Sequence, residues 1–101
     1  MARTNYQRGV EIERKVMEIL EEAGYEAMRT AGSHGIFDVC GYGPCGVRFI
    51  QVKRAKKGES WKQDYEQAVE SIQQLPKHPS VSGEVWVWVD YEGFVKKEVI
   101  L

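Results

Sequence analysis

The chain has 101 residues, a net charge of −1, 43% apolar and 29% charged residues. That length and balance predict one domain, spanning 1–101, with one thin hydrophobic core. They exclude a globally basic nucleic-acid binder, a membrane span of about 20 apolar residues, and a secretory leader in the polar Met1–Arg8 stretch, so the expected compartment is the cytoplasm.

In chain order, Thr4 followed by Gln7 fits a capping box, and Ile12, Val16, Ile19, Leu20 and Ala23 recur at helical spacing up to Gly24. This predicts a helix from Asn5 to Ala23. Tyr25–Thr30 reads as a strand, followed by a loop of small residues at 31–35. Ile36–Cys40 reads as a second strand, and a turn from Gly41 to Gly46 leads to a third, Val47–Lys53. A basic loop precedes a second helix, Glu59–Leu75, which Pro76 stops. Val85–Val89 and Phe94–Ile100 are two strands about an Asp90–Gly93 turn in which Gly takes the left-handed position. The order αβββαββ predicts an α+β fold with a mixed central sheet flanked by helices.

Cys40 and Cys45 allow two readings, a pair of reduced thiols or a cross-hairpin disulfide, and are too few for a structural zinc site. Trp86 and Trp88 share one strand face and Val85, Val87 and Val89 the other, which suits a central strand or a subunit interface. Two basic clusters stand out. One is Arg48, Lys53, Arg54, Lys56, Lys57 and Lys62; the other is Arg3, Arg8, Arg14 and Lys15. Each is either a solvated face or a phosphate track.

Four residues depart from the pattern around them. Glu13 lies about 60° from Val16 on a helical wheel, the one acid of its helix at the edge of the apolar stripe. It is either a boundary residue paired with an arginine or a metal ligand, since an unpaired carboxylate there is costly. Asp38 sits in an apolar strand, where Asp is disfavoured, and is either a cap or a catalytic acid. Gln51 and Lys53 share one face of the next strand, while Ile50 and Val52 share the other. A hairpin between these two strands brings Asp38, Gln51 and Lys53 toward one patch.

Asp38, Gln51 and Lys53 resemble the PD-(D/E)XK nuclease signature, with Phe37 in place of the Pro and Gln51 in place of the second acid. The longer series Arg8-Gly9, Ile12-Glu13-Arg14, Gly24-Tyr25 and Arg29-Thr30-Ala31-Gly32-Ser33 is similar to the archaeal-type Holliday junction resolvases. The resemblance covers Arg8 to Lys53 and implies a restriction-endonuclease-like core. It also implies a metal-dependent endodeoxyribonuclease that acts on four-way DNA junctions as a homodimer. Its functional positions fall on Glu13, Ser33, Asp38, Gln51 and Lys53. Mg²⁺, with Mn²⁺ as substitute, would be held by Glu13, Asp38, the Gln51 oxygen and a carbonyl near Val52. Ser33 would contact phosphate, Lys53 would orient water, and Arg8, Arg14, Arg29, Arg54, Lys56 and Lys57 would grip DNA. The Glu-to-Gln departure at position 51 removes one charge from the expected ligand set. Two other readings are a restriction-like, repair or flap-type nuclease and a DNA-binding protein with a degenerate site. A Ser33–His34 nucleophile pair lacks an orienting acid.

Overall fold

The computed structural model describes residues 4–30 and 35–101. Its elements run α1 (Asn5–Glu22), β1 (Glu26–Arg29), β2 (Val39–Gly43), β3 (Gly46–Ala55), α2 (Lys62–Gln73), β4 (Val81–Val89) and β5 (Gly93–Val99). The strands form one sheet in the order β1-β2-β3-β4-β5, antiparallel except for the parallel β3–β4 pair that α2 connects. The expected α+β class and mixed sheet are observed. Among the described residues no helix is long and apolar enough to cross a membrane.

α1 begins as its sequence predicts. The Gln7 N–H donates to Thr4 Oγ1 at 3.1 Å and the Thr4 N–H donates to Gln7 Oε1 at 2.9 Å, satisfying two otherwise free helix-start donors. Its buried Val16 and Leu20 meet Val39, Ile50 and Trp86 on one sheet face. On the other face, Ala68 and Ile72 of α2 meet Ala55, Val85, Val87 and Val89. Alternation along β4 therefore feeds two cores from one strand, and both of its edges are paired. This decides the Trp86 question in favour of core: Trp86 is 2% exposed beneath α1 and is not available to a partner subunit. Trp88 is half-buried, with Phe94 edge-on at 5.1 Å and the Lys15 ammonium 5.5 Å from its ring.

Several boundaries differ from expectation. β2 starts at Val39 and continues through Gly43, so Asp38 precedes the strand and the hairpin turn shrinks to Pro44-Cys45. Gly43 pairs with Gly46 at the end of the ladder, and the Tyr25 ring occupies the space a Cβ there would need. Gly46 has φ 108 and lies against the Ser80 carbonyl, so a side chain there would meet backbone. Cys40 and Cys45 are free; Cys40 faces Phe49 across the ladder while Cys45 lies in the turn, so the disulfide reading fails. α2 is shorter than expected because Glu59 closes its own turn, donating its N–H to the Lys56 carbonyl and accepting the Lys56 N–H. β4 begins four residues earlier than expected, which draws Ser82 and Glu84 into the sheet.

Candidate active site

Where β2 stops, β3 continues. The ladder pairs Val39 with Ile50, and one further bond runs from the Asp38 N–H to the Ile50 carbonyl at 2.9 Å. Beyond it the two chains part, and the Val52 N–H donates instead to Asp38 Oδ2 at 2.8 Å. Asp38 thus bonds to the residues on both sides of Gln51. Its other carboxylate oxygen accepts no hydrogen bond among the described residues. Among the described residues, Gln51 Oε1 is buried without a hydrogen-bond partner. A native interior rarely leaves an acceptor so, and such an atom suits a donor or a cation.

Glu13 reaches the same fork from α1. Arg29, on β1, donates from Nε to Glu13 Oε1 at 2.8 Å, and both side chains are about one-fifth exposed. Burial pushes the Asp38 carboxyl above its ordinary value. The Val52 N–H opposes this, the nearby Glu13 charge adds to it, and Lys53 and Arg29 pull it back. The structure therefore brings Glu13 and Lys53 within electrostatic reach of Asp38, with Gln51 on the same strand face as Lys53. Ser33 and His34 lie outside the described residues. Beside the fork the Thr30 N–H donates to the Asp38 carbonyl at 3.0 Å and Thr30 Oγ1 donates to the Phe37 carbonyl at 2.6 Å.

Among the described residues no cluster of three or more His, Cys, Asp and Glu side chains could hold a metal. A cation at the fork would rest on two carboxylates and neutral oxygens. The set still suits a hard divalent ion: all donors are oxygen, and one of them is buried and unpartnered.

The family model described as archaeal Holliday junction resolvase matches residues 4–96, nearly the whole chain. The chain belongs to that family. No individual curated protein matches it. Membership in the resolvase family makes the chain a nuclease of the junction-processing class, one that binds DNA junctions. The match runs well past Lys53, where the motif resemblance stops.

The remaining candidate residues of this resolvase-family chain divide into two groups. Arg14, Lys56 and Lys57 are exposed. Arg8 and Arg54 both bond to Asp90, at 3.1 Å and 2.6 Å, and Arg29 is committed to Glu13. Arg48, grouped with the basic stretch by sequence, is not a surface cation. It pairs with Glu84 through two bonds, at 2.8 and 2.9 Å, and stacks near the Tyr25 ring. Glu84 is 2% exposed and also accepts from Ser82 Oγ and Trp86 Nε1. Burial alone would raise its carboxyl; the donors from Arg48, Ser82 and Trp86 outweigh burial and hold it below the ordinary value. Sequence reasoning missed Glu84 and Asp90. The signal existed for Glu84, an acid between Gly83 and Val85, but starting the strand at Val85 left it outside the strand.

Proposed function

We propose that this chain is a Mg²⁺-dependent endonuclease that resolves four-way DNA junctions as a homodimer. The observation that carries the reading is the unpartnered, buried Gln51 Oε1 at the fork where Asp38 bonds to both of its neighbours. Asp38, Gln51 Oε1 and the Val52 carbonyl would hold the cation, with Glu13 completing the set directly or through water. The chemistry a divalent cation supplies here is Lewis acidity, which offsets charge on the phosphate and makes water more acidic.

The protein's own groups do the rest. Lys53 offers an ammonium on the strand face of Gln51, where it orients the attacking water and stabilises charge on the phosphoryl oxygens. Asp38 is held by the Val52 N–H, so its other oxygen keeps one direction. Arg29 neutralises Glu13 and limits the repulsion between two acids at one site. Ser33 contacts phosphate, and Arg8, Arg14, Arg54, Lys56 and Lys57 hold the flanking backbone. These contacts read phosphate rather than bases, which favours structure over sequence as the basis of recognition. Mn²⁺ serves in place of Mg²⁺. A four-way junction is two-fold symmetric and needs two cuts, so two copies related by a two-fold axis match it.

The test is cleavage of a four-way junction beside duplexes of its arm sequences, with Mg²⁺ and with EDTA. Metal-dependent cutting confined to the junction is expected. Equal cutting of other branched or linear DNA points to a repair, flap or restriction-type activity. Tight binding without cutting points to a degenerate site.

A further inference from the structure

The β4–β5 turn carries a feature that the cleavage chemistry does not use. The Glu92 N–H bonds to the Val89 carbonyl at 3.0 Å, closing a four-residue turn. Its third residue, Tyr91, has φ 69. A turn of this kind takes Gly or Asn at that position, because a larger side chain crowds the left-handed backbone. Here the position holds a tyrosine, and that side chain is 92% exposed. Neither packing nor backbone preference accounts for an aromatic ring held out in water on a strained residue. Such outliers are retained where the displayed side chain has a use.

The surroundings indicate that use. Tyr91 lines a cavity of about 300 Å³ with Arg8, Lys15, Arg54, Trp88 and Asp90. Asp90 accepts from Arg8 Nη1 at 3.1 Å, from Arg54 Nε and Nη2 at 3.2 and 2.6 Å, and from Trp88 Nε1 at 3.2 Å. One carboxylate thus fixes two guanidinium groups side by side. Three cations surround the cavity against two acids, Asp90 and Glu11. Arg54 follows Lys53 on β3 with its side chain on the opposite, α1 face, and Arg8 lies on α1 less than two turns before Glu13, so the cavity and the fork share α1 and β3.

Resting on the nuclease reading above, we propose that this turn is a branch-point contact: Arg8 and Arg54, positioned by Asp90, take a backbone phosphate while Tyr91 stacks on a nucleobase exposed where strands exchange. Paired guanidiniums match phosphate geometry. An exposed ring matches a base face that duplex stacking normally hides, and such stacking is insensitive to sequence.

The experiment is binding in EDTA to a four-way junction with 2-aminopurine at the branch, and to a duplex of one arm. Tyr91→Gly and Tyr91→Asn both suit the left-handed backbone, so their melting temperatures should equal or exceed that of the wild type. Both should bind the junction about fivefold to a hundredfold more weakly, keep duplex affinity, and lose the wild-type change in 2-aminopurine fluorescence. Tyr91→Phe should behave as wild type. Either variant binding the junction as tightly as wild type, or losing the same factor on duplex, overturns the proposal. Cleavage by the wild type in Mg²⁺ is scored separately. A wild type that binds the junction selectively but does not cut it overturns the nuclease reading and leaves the Tyr91 contrast decisive. A wild type with no preference for the junction overturns both.

Discussion

The Val52 N–H donates to Asp38 Oδ2 across 14 residues of sequence, at 2.8 Å. The bond replaces the ladder bond that β3 loses when β2 ends, so one carboxylate both closes the sheet fork and supplies the fork's principal charge. Stability and chemistry are coupled at this residue, and its substitutions should separate them.

Asp38→Asn keeps an acceptor for Val52 but removes the charge. Cleavage should fall at least about a hundredfold, since even partners behind metal ligands are worth 10–100-fold, while junction binding in EDTA persists. The folded carboxyl is raised by burial, so it binds its proton more tightly than in the unfolded chain. Wild-type stability from this group is therefore greatest at low pH and is lost as pH rises through the raised value. The variant lacks that loss. Melting temperatures in EDTA should favour Asp38→Asn progressively from acid to neutral pH; a constant difference across that range counts against the buried carboxyl.

Gln51 offers a test with opposite signs. An unpaired buried acceptor costs about 1–3 kcal/mol, so Gln51→Met should raise stability in EDTA by roughly 1 kcal/mol while cleavage is lost. Gln51→Glu should lower the Mg²⁺ concentration for half-maximal cleavage and destabilise the metal-free protein, because a third carboxylate joins Asp38 and Glu13 at the fork. Rate against Mg²⁺ and urea unfolding in EDTA provide both readouts. If Gln51→Glu and Gln51→Ala both leave the Mg²⁺ curve unmoved, Gln51 is not a ligand.

Lys53 and Lys96 make a close comparison. Both register with Val87 of β4, so they lie in one row, roughly 10 Å apart. Lys96 is occupied, 5.0 Å from the Tyr65 ring centre and 3.5 Å from Glu98. Lys53→Ala should reduce cleavage by about 10²–10³, and Lys96→Ala should stay within about twofold of wild type. Single-turnover rates at saturating enzyme decide it. Equal losses would show that general charge, not position, matters.

Glu84 should be needed for folding and not for cutting. Glu84→Gln removes the charge that compensates Arg48 in a mostly buried pair, at a cost on the order of 3 kcal/mol. The wild-type carboxyl titrates below its ordinary value. Its contribution to stability is full above the unfolded pKa and disappears as pH falls through the lower folded value. Urea midpoints should therefore differ most at neutral pH and converge in acid. The refolded variant, assayed well below its melting temperature, should retain junction cleavage.

Local sequence determined a good deal of this protein. The capping box, the helical period of α1, the alternation in β3 and the stop at Pro76 all act within a few residues, and α1 and the helix-strand order follow from them. The oddness of Asp38, Gln51 and Lys53 was legible for the same reason: each breaks the pattern of its own strand. Glu13 was legible only as a choice between an arginine partner and a metal. The fold placed Arg29 against it without removing the second option. Tertiary structure decided whatever depended on a distant partner. Tyr25 required glycine at position 43, and Ser80 required it at position 46. Arg48 became a core ion pair once the parallel register of β3 and β4 brought it beside Glu84. The left-handed residue expected at Gly93 is present, but Tyr91 is a second. Its exposure beside two arginines bound to one aspartate arises only when α1, β3 and the β4–β5 turn meet.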